Sequence, residues 1–176
     1  MALWVFGYGS LVWNPGFEVK EQAIATLHGF ARSFCMHSIH HRGTVENPGL
    51  VLALDRHDDA LCQGVGLQVS EGNEDAVVAY LRERELISSA YIEATVDIAL
   101  ADGREVRALT YVMDTDHVQY CGGMALENQA RIIAGAVGDR GPNTEYLFNT
   151  AQHLGELGIK DPDMDWLAAR VRDLVA

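Results

Sequence analysis

The sequence predicts an α+β protein, a mixed, closed or nearly closed β-barrel with helices packed around it. Three observations carry that expectation. Runs of β-branched and apolar residues with strand spacing crowd the first two thirds of the chain. A single helix-period segment interrupts them, and helix-period segments alone fill the last third. Nothing in the composition shifts abruptly enough to mark a linker or a repeat, so the 176 residues read as a single domain, 1–176, long enough to bury its own core.

The elements follow in order. A first strand is expected over 3–10, where Trp4-Val5-Phe6 runs into glycines, then strands near 24–38, 49–55 and 62–69. A helix near 72–88 comes next, with Ser70 placed to cap it ahead of Glu74 and Gly72 blurring the boundary. Strands near 91–100 and 104–113 are joined by Asp102-Gly103, a hairpin turn that favours positive φ. Helices near 124–138, 143–157 and 162–174 complete the chain. Asp161, Asp163 and Asp165 alternate like a calcium loop, but Trp166 stands where that loop requires glycine. They read instead as the start of the last helix, where acidic residues complement the dipole.

Composition narrows the function classes. With 48% hydrophobic and 22% charged residues the chain is an ordinary globular one. A formal net charge of −12 repels phosphate, which argues against nucleic acid and against an anionic membrane surface as partners. The apolar N-terminal run has no basic lead-in and is broken by Gly7, Gly9 and Ser10, so it reads as a strand rather than a signal peptide, and no stretch is long enough to span a bilayer. Cys35, Cys62 and Cys121 are odd in number and lack C-x-x-C spacing, which suits free thiols in a reducing cytoplasm. The oligomeric state is not legible.

The stretch Val5-Phe6-Gly7-Tyr8-Gly9-Ser10-Leu11 is the first candidate site. Two glycines around a tyrosine, followed by serine, leave backbone N–H groups unobstructed, which suits a loop wrapping a small anionic or zwitterionic ligand. A dinucleotide fingerprint needs a third glycine where Val12 sits, and a hydrolase elbow needs glycines where Tyr8 and Val12 stand, so neither a nucleotide nor a serine nucleophile is implied. A buried strand ending in a plain glycine turn accounts for the same residues.

The segment from Trp4 to Phe17 resembles the signature of the gamma-glutamylcyclotransferases, and within them the ChaC-like, glutathione-specific branch. Further matches follow in order: Arg32-Ser33-Phe34, His41-Arg42-Gly43-Thr44 with Pro48-Gly49, Arg84-Glu85, Tyr91, and Asn143-Thr144-Glu145-Tyr146-Leu147. One departure is visible. Leu86 stands where eukaryotic members carry lysine, and Ile87-Ser88-Ser89-Ala90 replaces a glycine-richer turn, which touches the pocket rim rather than the chemistry. The resemblance implies a gamma-glutamylcyclotransferase-like barrel and an enzyme that cleaves glutathione to 5-oxoproline and Cys-Gly without cofactor or metal. Activity on other gamma-glutamyl amino acids or amines, and a non-catalytic gamma-glutamyl-binding protein, stay open as alternatives.

The residues themselves point to Glu85. Val77, Leu81 and Glu85 are spaced i, i+4, i+8, so if the first two face the core the glutamate projects from the same stripe near the helix end, partly desolvated and thereby a better base. Arg82 and Glu83 read as a solvated face with intrahelical pairs. The resemblance implies that Glu85 is the acid/base, that Val5 to Leu11 hold the substrate, and that Tyr91 and Tyr146 close the pocket and donate hydrogen bonds. Taken alone, each tyrosine is equally a packed residue with a satisfied hydroxyl. His37, His40 and His41 have a spacing that tempts a metal reading, but no cysteine pair completes a zinc set and His41 to Thr44 matches a non-metal motif of the family.

Overall fold

The computed structural model describes residues 2–86 and 89–176. Five strands, β1 (Trp4–Gly7), β2 (Val19–Ser38), β3 (Gly49–Val69), β4 (Tyr91–Leu100) and β5 (Glu105–Met113), close a barrel in the order β1-β3-β2-β4-β5. The barrel is mixed, as expected from the strand count: β1 runs parallel to β5 and antiparallel to β3, and β4 runs antiparallel to β2 and β5. Among the described residues four helices longer than one turn accompany the strands: α2 (Glu74–Glu85), α3 (Leu126–Gly135), α4 (Asn143–Glu156) and α5 (Pro162–Val175). Among the described residues no helix is long and apolar enough to cross a membrane.

The chain divides into two compact units, each built from discontinuous segments. The first comprises Met1–Arg32 and Ala53–His117 and holds β1, β4, β5, α2 and the adjoining lengths of β2 and β3. Its core is formed by Val5, Phe6, Leu54, Val65, Leu67, Val77, Leu81, Ile98 and Tyr111. The second comprises Ser33–Leu52 and Val118–Ala176, where α3, α4 and α5 pack on one another around Ile133, Leu147, Leu154, Leu167 and Val171.

Local chemistry explains most boundaries. Gly103 sits at φ +97° in the β4–β5 turn, where Leu100 N–H donates to Arg104 O at 2.8 Å and Gly103 N–H to Leu100 O at 2.9 Å. A side chain there would meet nothing, so the turn's backbone conformation rather than space selects glycine. Asp161 caps α5, its Oδ1 accepting from Met164 N–H at 3.2 Å, with Asp163 and Asp165 in the first turn.

Several sequence expectations are corrected. The first strand stops at Gly7, and the chain folds into a single helical turn, α1 (Ser10–Trp13), closed by Asn14 N–H donating to Ser10 O at 2.7 Å. β2 begins at Val19 rather than 24, because Lys20, Glu21 and Gln22 pair as strand without an apolar stripe to betray them. The expected strands at 49–55 and 62–69 are one strand, β3, whose exposed Arg56 to Asp59 mimic a loop in composition while staying extended. Asn73, not Ser70, occupies the cap position of α2, with no side-chain cap bond. The expected end of that helix at 88 falls on Ile87 and Ser88, which lie outside the described residues. α3 is shorter than 124–138, and Val137–Gly138 (β6) with Gly141–Pro142 (β7) form a small hairpin that the sequence did not announce.

Candidate active site

The site is built at one end of the barrel, within the first unit. Because β1 and β5 are parallel, Gly7 and Met113 finish at the same end, and the antiparallel partners bring Val65 of β3 opposite Gly7 and Tyr91 of β4 opposite Met113. The strands approach closely here: a Cβ on Gly64 would lie 2.3 Å from Gly7 O, so only glycine lets β3 pass the start of the loop.

Every residue from Val5 to Leu11 has a defined place. Val5 and Phe6 are fully buried and Leu11 nearly so, and Phe6 O accepts from Thr110 Oγ1 at 3.1 Å, so these side chains form the floor beneath the loop. Tyr8 is turned inward, its hydroxyl donating to Tyr111 O at 2.8 Å, while its own carbonyl accepts from Arg32 Nε at 2.7 Å. Arg32 also donates to Gln63 O. The loop is therefore pinned through Tyr8 before it reaches Gly9 and Ser10. Val12 N–H returns to Gly9 O at 3.0 Å, and the N–H groups of Ser10 and Leu11, at the start of the turn, have no helical acceptor behind them.

Helix α2 supplies the carboxylate. Val77 and Leu81 are buried, and Glu85, last residue of the same stripe, keeps only 15% of its side chain exposed. Arg84 joins it to the loop. Its guanidinium, with 7% of the side chain exposed, donates from Nη2 to Ser10 Oγ at 2.8 Å and from Nη1 to Asn14 O at 2.6 Å, Pro15 O at 3.1 Å and Tyr80 Oη at 3.1 Å. Its Nε lies 3.5 Å from Glu85 Oε1.

A second charged group lies alongside. Glu93 accepts from Arg82 Nε at 2.9 Å and Nη2 at 3.0 Å, and from the Tyr111 hydroxyl at 2.9 Å. The expected intrahelical pairing of Arg82 is thus corrected: its carboxylate stands on β4, where bidentate geometry is available. Those Arg82 hydrogen bonds hold Glu93 below the usual carboxylate range, the Tyr111 hydrogen bond adding to them. Burial, then the Glu93 hydrogen bond and charge, then the Glu85 charge, push the Tyr111 phenol well above its ordinary value, so it stays protonated.

Of the two tyrosines expected at the pocket, Tyr91 is half-buried at the first position of β4, in the same unit as Glu85 and the loop. Tyr146 belongs to the second unit, where its hydroxyl accepts from Leu52 N–H at 3.1 Å and its ring meets Phe34 edge-on. Asn143, one helical turn earlier, binds both backbone groups of Leu50, and Arg42 donates to Pro142 O at 3.1 Å with its guanidinium over the Tyr146 ring. The histidine-rich run leaves β2 after Ser38 and enters a turn, His40 O and His41 O accepting from Asp139 and Arg140 N–H. Among the described residues no three His, Cys, Asp or Glu side chains gather as a metal-holding group.

Sequence reasoning missed the Glu93–Tyr111 pair and the clamp made by Arg84. The pair had a signal: with the turn fixed at Asp102-Gly103, counting outward puts Glu93 directly opposite Tyr111. The clamp had none, since its partners Ser10, Asn14 and Pro15 are distant in sequence.

A carboxylate joined through an arginine to a glycine-bracketed loop, at the mouth of a closed mixed barrel, is the arrangement of a small-molecule enzyme. The chain belongs to the ChaC-like protein family, whose sequence model matches residues 3–174. A glutathione-specific gamma-glutamylcyclotransferase of Escherichia coli is 36% identical over 174 residues, covering 99% of this chain and 74% of the relative. Gamma-glutamylcyclotransferase 2-3 of Arabidopsis thaliana is 34% identical over 182 residues, covering 100% of this chain and 92% of the relative. A crystal structure of a gamma-glutamyl cyclotransferase specific to glutathione from yeast superposes with a TM-score of 0.88 at 25% identity, covering 100% of both chains.

Proposed function

We propose that this chain is a cytoplasmic gamma-glutamylcyclotransferase that cleaves glutathione to 5-oxoproline and Cys-Gly, with Glu85 as general acid/base. The observation that carries the reading is the mostly buried carboxylate of Glu85 joined through Arg84 to the hydroxyl of Ser10 in the glycine loop. The names of the relatives supply the substrate.

The reaction needs little from the protein. In glutathione the α-amine can fold back on the γ-carbonyl and close a five-membered ring, so the nucleophile is built into the substrate. Glu85 takes a proton from the α-ammonium, the freed amine attacks the γ-carbonyl carbon, and a tetrahedral oxyanion forms. The proton on Glu85 then passes to the leaving amide nitrogen as the C–N bond breaks, and the ring nitrogen, which attacked as NH2 and carries one proton too many, gives it up through Glu85 to the released amine, leaving the neutral lactam of 5-oxoproline and the ammonium of Cys-Gly. No water is consumed. Holding the curled conformer converts attack into an intramolecular step with reacting atoms already close. Ser10 and the N–H groups at the start of α1 are the donors for the α-carboxylate and the oxyanion. Val5, Phe6 and Leu11 set the floor, Tyr8 anchors the loop, and Tyr91, in the same unit, completes the substrate-binding set. With a net charge of −12, long-range steering opposes an anionic substrate, so capture rests on these local donors. Cys35, Cys62 and Cys121 are not joined in disulfides, which fits a reducing cytoplasm.

Incubation of the purified protein with glutathione, followed by mass spectrometry, tests the reading. Equimolar 5-oxoproline and Cys-Gly are expected; free glutamate in place of 5-oxoproline, or no turnover, overturns it.

A further inference from the structure

We propose that Arg84 is a positioning residue that orients Ser10 as a hydrogen-bond donor to the substrate and clamps the loop that carries it to the helix that carries Glu85. The inference rests on the cyclotransferase reading for its substrate, and on geometry alone for the clamp.

A guanidinium has donors and no acceptor, so in the 2.8 Å contact between Arg84 Nη2 and Ser10 Oγ the serine oxygen accepts. Its own O–H hydrogen is thereby turned toward another acceptor, and accepting from a cation makes that hydroxyl a stronger donor. The same contact occupies a lone pair and places positive charge beside the oxygen, which disfavours Ser10 as a nucleophile. Arg84 thus fixes the sense of the hydrogen bond: Ser10 gives a proton to a carboxylate or oxyanion and does not attack.

The other contacts make the arrangement rigid. Nη1 reaches two successive carbonyls, Asn14 O and Pro15 O, at the exit of α1, and Nε lies beside Glu85. One planar group therefore ties the loop's serine, the end of its helical turn and the neighbouring carboxylate. Lysine, with a single nitrogen, cannot span those positions. The side chain is 7% exposed and its bonds to Ser10 and Pro15 are partly buried, so water contests those two less than the exposed bond to Asn14.

A double-mutant cycle with Arg84→Gln and Ser10→Ala separates this role from a merely structural one. Each single variant is expected to lose on the order of 10- to 100-fold in kcat/KM for glutathione, the scale of a charge-assisted hydrogen bond. If Arg84 acts through Ser10, adding Ser10→Ala to Arg84→Gln costs less than about threefold more; losses that multiply overturn the proposal. Arg170→Gln, which breaks the Arg170–Glu127 pair of the second unit, serves as control and should leave the Ser10→Ala loss unchanged. Hydrogen exchange supplies a readout free of substrate. In Arg84→Gln, amides of residues 10–16 should exchange faster while those of β4 and β5 hold, and unchanged protection of the loop overturns the clamp. Should the wild type fail to convert glutathione, the proposed function falls and the exchange measurement still decides the clamp.

Discussion

Replacing Asn143 by alanine should destabilise the second unit more than any other single polar truncation on α4. The side chain is fully buried, its Oδ1 accepting from Leu50 N–H at 2.7 Å and its Nδ2 donating to Leu50 O at 2.8 Å. Leu50 is itself fully buried. Truncation strands one donor and one acceptor at about 1–3 kcal/mol each, for a loss of about 2–6 kcal/mol. Against a typical total of about 5–15 kcal/mol, that is a large fraction. Tyr146→Phe is the matched comparison, since it removes the acceptor of Leu52 N–H and keeps the ring against Phe34, for about 1–3 kcal/mol. Urea unfolding followed by circular dichroism should show both midpoints lowered with unchanged slope, Asn143→Ala the lower. A wild-type midpoint for Asn143→Ala, or a greater loss for Tyr146→Phe, would refute the reasoning that the Asn-x-x-Tyr spacing grips alternate residues of β3.

Glu85→Gln should keep the fold and substrate binding but lose about 10²–10⁴-fold in turnover, whereas exposed Glu83→Gln stays near wild type; equal losses in both would show that the stripe argument chose the wrong carboxylate. Glu93 gives a pH signature. Its carboxylate is held low in the folded state, chiefly by Arg82, so its stabilisation is complete above the ordinary carboxylate range and is lost as pH falls through the depressed value. Glu93→Gln should therefore flatten the acid limb of a plot of urea midpoint against pH, and an acid limb parallel to wild type would count against the Arg82–Glu93 assignment.

Much of the fold and of the site is legible in the sequence, for physical reasons that differ by element. The β4–β5 hairpin was readable because one turn dipeptide fixes its register, and Glu85 stood out because Val77 and Leu81 mark a buried stripe one helical turn at a time. β3 was misread as two strands because Arg56 to Asp59 carry the composition of a loop, and composition reports exposure rather than backbone shape. The turn at Ser10–Trp13 was hidden by apolar Leu11 and Val12, which bury equally well from a strand or from a helical turn. Arg84 shows the deeper limit. Its neighbours on α2 suggest a solvated face, and only the closing of the chain brings Ser10, Asn14 and Pro15 to its guanidinium.

The claim at the centre of the account is that the substrate's own α-amine, activated by Glu85, is the nucleophile. Glutathione acetylated on that amine tests it most directly, with competition against glutathione measured in parallel because acetylation also removes a positive charge. The account predicts that the analogue yields no Cys-Gly at any enzyme concentration that exhausts glutathione, since an amide nitrogen can neither be activated by Glu85 nor close the ring. Release of Cys-Gly together with free N-acetylglutamate would reveal a nucleophile supplied by the protein or by water, and would contradict it.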